Sequence, residues 1–157
     1  MKIVNFIVVM LFSFSGFAQL DTEHFIPPVY PSTHSWVYPR EQVVYISTPT
    51  TTPFNYTIKD GAGNVLKSGL VSNANPISYQ MSAYVSDFVV KDADLNKVLT
   101  DMGLHIEADE KVYCNLRAQA GGGTRPNATS MTAKGRAAVG TAFRIGHFPS
   151  PSGHVNK

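Results

Sequence analysis

The sequence predicts an all-β domain, a β-sandwich of about seven or eight short antiparallel strands with at most one short helix. Three observations carry that expectation. Only 15 % of the residues are charged, well under the usual quarter. The apolar runs are built from Val, Ile, Tyr and Phe, which suit a pleated, half-buried surface, and turn-forming Pro, Gly, Asn and Asp recur about every ten residues. Cys114 is the sole cysteine, so no disulfide within the chain can staple the fold and its core must hold it.

The amino end reads differently from the rest. Met1-Lys2 precedes an apolar run from Ile3 to Phe14, then Ser15-Gly16-Phe17-Ala18. A basic start, an apolar stretch and small residues at Gly16 and Ala18 make the pattern of a secretory signal peptide. The run is too short to cross a bilayer, and nothing later in the chain supplies a membrane span. Residues 1–18 are therefore expected to be removed on export, leaving a protein that works extracellularly or at the cell surface. That excludes most nucleotide and metabolic chemistry. A net charge of +2 supplies no basic stripe for nucleic acid or an anionic membrane.

Residues 19–40 are rich in Pro and aromatics, as in Ile26-Pro27-Pro28, Tyr30-Pro31 and Tyr38-Pro39. Proline removes backbone donors, so an extended lead-in is expected there, with no central strand. The β-sandwich module is placed at 41–147. Glu41 to Ser47 is apolar on both faces and predicts a strand buried on both sides. After the Thr48–Pro53 turn, Phe54, Tyr56 and Ile58 alternate with Asn55, Thr57 and Lys59. Asp60-Gly61-Ala62-Gly63-Asn64 then tolerates positive φ, and Val65 to Ser68 returns, which is the clearest hairpin in the chain. Asn73-Ala74-Asn75-Pro76 is a second turn. Ile77, Tyr79 and Met81 alternate with Ser78, Gln80 and Ser82 as a half-exposed strand, and Phe88 to Val90 gives a short one.

Leu95, Val98, Leu99 and Met102 fall at helical spacing, with Asp92 or Asp94 to cap and Gly103 to stop a short helix. A strand and turn fit the same residues. Gly103 to Ala108 and Lys111 to Ala118 predict a second hairpin across Asp109-Glu110, with Val112, Cys114 and Leu116 on one face. Gly121 to Ser130 reads as the most flexible loop, and Thr141 to Ile145 as a last strand before the Pro/Gly/His tail at 148–157. The predicted core comprises Tyr45, Ile46, Ile58, Ile106, Val112, Cys114, Leu116 and Phe143.

No motif supplies catalytic chemistry. Gly121-Gly122-Gly123-Thr124-Arg125 lacks the Gly-Lys-Ser/Thr ending of a phosphate loop. Cys114 shares a face with Val112 and Leu116, where a thiol behaves as a small apolar group and burial raises its pKa. His24, His34, His105, His147 and His154 stand in no metal-ligand spacing. Asp87, Asp92 and Asp94 lack the regular acidic spacing and closing glutamate of a calcium loop. No nucleophile elbow or catalytic carboxylate pair is recognisable. The sequence thus predicts no enzyme, no cofactor and no metal. Asn55-Tyr56-Thr57 and Asn127-Ala128-Thr129 match the glycosylation pattern and are read as chance matches.

Four stretches together carry a resemblance. His24-Phe25-Ile26-Pro27-Pro28 follows the signal, and Tyr45-Ile46-Ser47-Thr48-Pro49 opens the sheet. Gly103-Leu104-His105-Ile106-Glu107-Ala108-Asp109 runs into Val112-Tyr113, and Lys134 to Gly146 (Lys-Gly-Arg-Ala-Ala-Val-Gly-Thr-Ala-Phe-Arg-Ile-Gly) comes last. In that order they resemble the IgGFc-binding protein amino-terminal domain family, in secreted Bacteroidetes (flavobacterial) members. The resemblance implies a β-rich extracellular module at the start of a longer surface protein with a role in adhesion, and it carries over no catalytic residues. Relatives continue beyond the Phe143-Arg144-Ile145-Gly146 stretch, so a truncated gene product or fragment is expected.

The function these readings predict is non-catalytic: a secreted or cell-surface domain that contributes to adhesion or surface architecture by binding protein or glycan. The alternative is an accessory binding module of a secreted hydrolase whose catalytic domain lies beyond residue 157. Exposed aromatics and amides suit stacking and hydrogen bonding, which makes Trp36 and Tyr38 in the lead-in, and Arg125 and Asn127 in the Gly-rich loop, the predicted ligand-binding residues. Partners are an extracellular protein or glycan and downstream domains of the same longer chain.

Overall fold

The structure is a computed structural model that describes residues 19–29, 39–81, 88–94, 97–120 and 127–138. Its seven strands are β1 (Asp21–Ile26), β2 (Pro39–Ser47), β3 (Phe54–Asp60), β4 (Val65–Val71), β5 (Ile77–Met81), β6 (Leu104–Ala120) and β7 (Asn127–Thr132). All named pairings are antiparallel. The protein is all-β. Its strands make one curled sheet, a half-barrel, where a sandwich was expected.

One strand organises the sheet. β6 is 17 residues long, a contour of roughly 55 Å, and four strands pair with it. Glu107 pairs with Glu23 of β1 and Thr57 of β3, so those two strands flank the first half of β6 on opposite edges. Asn115 pairs with Tyr45 of β2 and Thr132 of β7, which flank the second half. Asp109, Glu110 and Lys111 lie between these sets and belong to no strand pairing. β4 extends the sheet beyond β3, and β5 extends it beyond β2. The curl brings these two ends together: Lys67 Nζ of β4 donates to the Ser78 carbonyl of β5 at 3.4 Å and stands 5.9 Å from the centre of the Tyr79 ring.

The hairpin expected across Asp109-Glu110 is corrected by this long strand. A two-residue turn would put residues 108 and 111 opposite each other, on one face. The buried positions are instead Leu104, Ile106, Val112, Cys114 and Leu116, all of one parity, so the period-2 phase runs unbroken through the acidic pair. Those two residues mark the joint where β6 changes partners.

Other expectations change too. Asp21–Ile26, placed in the extended lead-in, is strand β1, and Pro27-Pro28 ends it. Asn127–Thr132, placed largely in the flexible loop, is β7, held by six residue pairs with β6. No helix forms over 97–102; a 3-10 turn at Asp92–Asp94 precedes that segment. Phe88 to Val90 makes a single parallel bridge, Val29 to Val89, rather than a strand. The strand expected at Thr141–Ile145, and Phe143 with it, lies outside the described residues.

The β3–β4 hairpin forms as its turn residues dictate. Asp60 accepts from the backbone and side-chain amides of Asn64 at 2.8 and 2.9 Å, and Gly63 adopts φ +90°, a conformation that suits glycine. Gly61 lies against the chain of Asp101 and Met102, where an added Cβ would come within 2.4 Å of backbone atoms.

The concave face holds the core: Ile26, Val44, Ile46, Phe54, Tyr56, Ile58, Val71, Met81, Phe88, Leu104, Ile106, Val112, Cys114 and Leu116. Burial of a side chain of this kind contributes about 1.5–3 kcal/mol, and this stripe ties both halves of β6 to one interior. Among the described residues, two polar side chains with no exposed surface share it. His24 is fully buried and its Nε2 donates to the Val112 carbonyl at 2.8 Å. Gln42 is equally buried. Tyr45, expected in the core, is 41 % exposed. Its neighbours Val44 and Ile46 point inward, and strand alternation turns Tyr45 to the convex face.

Candidate functional site: the convex face of the long strand

The odd-numbered residues of β6 point outward, and the two halves of the strand present different chemistry there. Around the first half the groups are ionic. His105 Nε2 donates to Glu23 Oε1 at 2.8 Å, and its Nδ1 lies 3.7 Å from Glu107 Oε1. Lys59 Nζ holds Glu107 Oε2 at 2.6 Å. The Lys59 hydrogen bond keeps the Glu107 carboxyl below its usual pKa, against a smaller opposing effect of burial. Phe25 stacks on His105 with ring centres 4.5 Å apart and planes 7° from parallel. Asp109 accepts from the backbone and side-chain amides of Asn55.

Glu23, His105 and Glu107 each place one ligand atom within 4.8 Å of the others, a grouping that the sequence spacing did not reveal because β1 and β6 are distant in sequence. Both imidazole nitrogens face carboxylates, and Lys59 already occupies Glu107. The arrangement is a four-residue ladder in which two carboxylates alternate with an imidazole and an ammonium group. Beside it, Phe25, Pro27, Pro28, Met102, Leu104 and His105 line part of an open cleft of about 460 Å³. Gly103 shapes its wall: φ is +106°, and a Cβ there would meet the Ile26 carbonyl at 2.8 Å.

Around the second half the face is a neutral grid. Strand register places Gln80, Val43, Arg117 and Ser130 in one row, and Ser78, Tyr45, Asn115 and Thr132 in the next. Ser47 and Tyr113 form a third row, and Glu41, Gln119 and Ala128 a fourth. Neighbouring strands are about 5 Å apart and successive rows about 7 Å. Glu41 and Arg117 are the charged side chains of this grid, and they form no ion pair among the described residues. The Asn115 amide donates to Thr132 Oγ1 at 3.1 Å and accepts from Ser130 Oγ at 3.0 Å. Tyr45 and Tyr113 are 41 % and 40 % exposed and sit diagonally on adjacent strands, within reach of one ligand. Glu41, Val43, Tyr45, Arg117 and Gln119 enclose a dimple of about 30 Å³. That is space enough for a water molecule or a hydroxyl group.

The predicted ligand-binding residues do not assemble this surface. Trp36, Tyr38 and Arg125 lie outside the described residues. The backbone of Asn127 opens β7, opposite Ala120. Sequence reasoning missed Tyr45, Tyr113, Arg117 and Gln119. The signal was present in Tyr113, Asn115, Arg117 and Gln119, whose polar alternation marks a wet face, but only the β2 register places Tyr45 on it. No family model, curated protein or solved structure matches the chain.

Proposed function

We infer that this chain is a non-catalytic, secreted or cell-surface β-domain that contributes to adhesion or surface architecture by binding an extracellular protein or glycan. One observation carries the binding part of the reading. Two tyrosines stand half-exposed in a grid of hydroxyls and amides on the convex face of β2 and β6. Tyrosine offers a rigid apolar ring and a polar tip at low entropic cost, which suits recognition of a partner that is itself partly polar.

Support for a non-catalytic role comes from the titratable groups. Glu23, His105, Glu107 and Lys59 are engaged with one another along an open sheet surface, Glu23 with His105 and Glu107 with Lys59. Burial pushes the Cys114 thiol up to about 12, which keeps it from acting as a nucleophile at neutral pH. Secretion rests on the signal pattern of residues 1–18, and the adhesive role on the resemblance to the IgGFc-binding amino-terminal family of secreted Bacteroidetes proteins.

The test is capture of extracellular material, both matrix proteins and glycans, by the immobilised domain and by the double variant Tyr45→Ala/Tyr113→Ala. Capture that the double variant loses supports the reading. Capture of nothing at high protein concentration, or equal capture by both forms, overturns it.

A further inference from the structure

We propose that the convex grid of β2, β5, β6 and β7 is a binding site for an uncharged polysaccharide, with Tyr45 as the platform for one sugar ring. This rests on the binding role inferred above and names the class of ligand. Three features favour that class over a protein partner or an anionic polymer.

The first is charge. Glu41 and Arg117 balance within one corner of the grid, and Ser47, Ser78, Gln80, Asn115, Gln119, Ser130 and Thr132 supply only hydroxyls and amides. An anionic chain would gain little from a surface on which Arg117 stands one row from the Glu41 carboxylate. An uncharged chain of hydroxyls finds donors and acceptors throughout.

The second feature is the absence of an aliphatic anchor on the grid. Stable protein interfaces bury an apolar centre ringed by polar groups. Here the one branched aliphatic residue, Val43, is 5 % exposed. Among the described residues, the exposed aliphatic ones, Val65, Leu66, Leu70 and Val98, lie elsewhere, on β4 and beyond it. What the grid offers instead is Tyr45 and Tyr113, flat rings that suit the C–H-rich face of a pyranose.

The third is the dimple beside Tyr45. Glu41, Val43, Tyr45, Arg117 and Gln119 line it. A ring lying on Tyr45 directs its equatorial hydroxyls outward from its edge. A space for one hydroxyl, with an acceptor and a donor at hand, meets that edge. Tyr113, one row further along β6 and diagonal to Tyr45, continues the platform toward a second sugar.

The experiment is affinity electrophoresis of the full chain, without its residues 1–18, through gels containing a soluble β-glucan, a xylan or a mannan, with alginate as the anionic control. The proposal predicts retardation by at least one uncharged polymer, persisting at raised salt. Tyr45→Ala should weaken that binding by about tenfold or more with an unchanged melting temperature, and Arg117→Ala should weaken it less. Phe25→Ala, on the ionic half, should leave it intact.

Retardation by alginate alone, or retardation that Tyr45→Ala does not alter, overturns the proposal. If no uncharged polymer is bound but capture of an extracellular protein is lost in Tyr45→Ala, the ligand class is wrong and the broader binding role stands. If neither binding depends on Tyr45, both fail.

Discussion

The two halves of β6 share an inner face and differ on the outer one. Inside, Leu104 and Ile106 in the first half continue as Val112, Cys114 and Leu116 in the second, one apolar stripe without a change of phase. Outside, the first half carries Glu23, His105, Glu107 and Lys59 in mutual contact, and the second carries tyrosines, amides and hydroxyls. The lesson is a division of labour within one strand. The inner stripe fixes the fold, the ionic half fastens the neighbouring strands, and the neutral half leaves two tyrosine rings exposed beside Asn115, Ser130 and Thr132, which bond to one another.

The largest expected effect tests the shared interior. Ile106→Ala and Leu116→Ala, one in each half, should each lower unfolding free energy by about 3 kcal/mol, read from denaturant titrations. A loss under about 1 kcal/mol at either position would show that the halves do not share one core.

Next comes a change confined to the first half. Gly103 needs its positive φ and its close approach to Ile26, so Gly103→Ala should cost about 2 kcal/mol. It should leave ligand binding by the neutral half intact. Loss of both together would mean that the halves are mechanically coupled.

Acid should separate the halves further. Asp21 is drawn upward by partial burial, but the Arg136 side chain and backbone and the Thr22 amide outweigh that and hold it at about 2. The Asp60 carboxyl is also lowered, chiefly by the Asn64 side chain, as is that of Glu107 by Lys59. A carboxyl with a depressed folded pKa contributes stability that is present above its unfolded value, about 4, and lost as pH falls toward the folded one. Melting temperature should therefore drop between about pH 4 and 2, and Asp21→Asn should flatten part of that drop. Arg117→Ala should not change it.

The smallest effect is expected for the exposed ladder. Lys59→Met should cost less than about 1 kcal/mol, because Lys59 and Glu107 are both partly exposed and water screens their pair. A loss of several kcal/mol would show that the ionic half carries the fold itself.

How far these features could be read from residue order depends on where their signals lie. The β3–β4 hairpin was legible because Asp60, Gly61, Gly63 and Asn64 fix the turn locally. The all-β class was legible for the same reason, from many such local signals. β7 was not: within Asn-Ala-Thr-Ser-Met-Thr the one large apolar residue is Met131, and the β6 backbone supplies what its own pattern lacks. Asp109-Glu110 looked like a turn because acidic residues interrupt the apolar run, although the parity on either side already pointed to a continuous strand. The helix read from Leu95, Val98, Leu99 and Met102 gave way because spacing alone does not outweigh packing of residues 101–103 against Gly61 and β1. The neutral grid was least legible of all. Its rows run across four strands, so no local stretch of sequence contains one.

On the reading proposed above, the neutral half of β6, and not the ionic half, meets the ligand. Nitrogen–proton correlation spectra recorded during titration with oligosaccharides from the β-glucan, xylan or mannan retained in the gels test it most directly. Shifts confined to residues 41–47, 78–80, 113–119 and 128–132, centred on Tyr45, are expected. Shifts centred instead on residues 23–28, 57–61 and 100–107 would place the ligand in the cleft and ladder of the other half and overturn the proposed site.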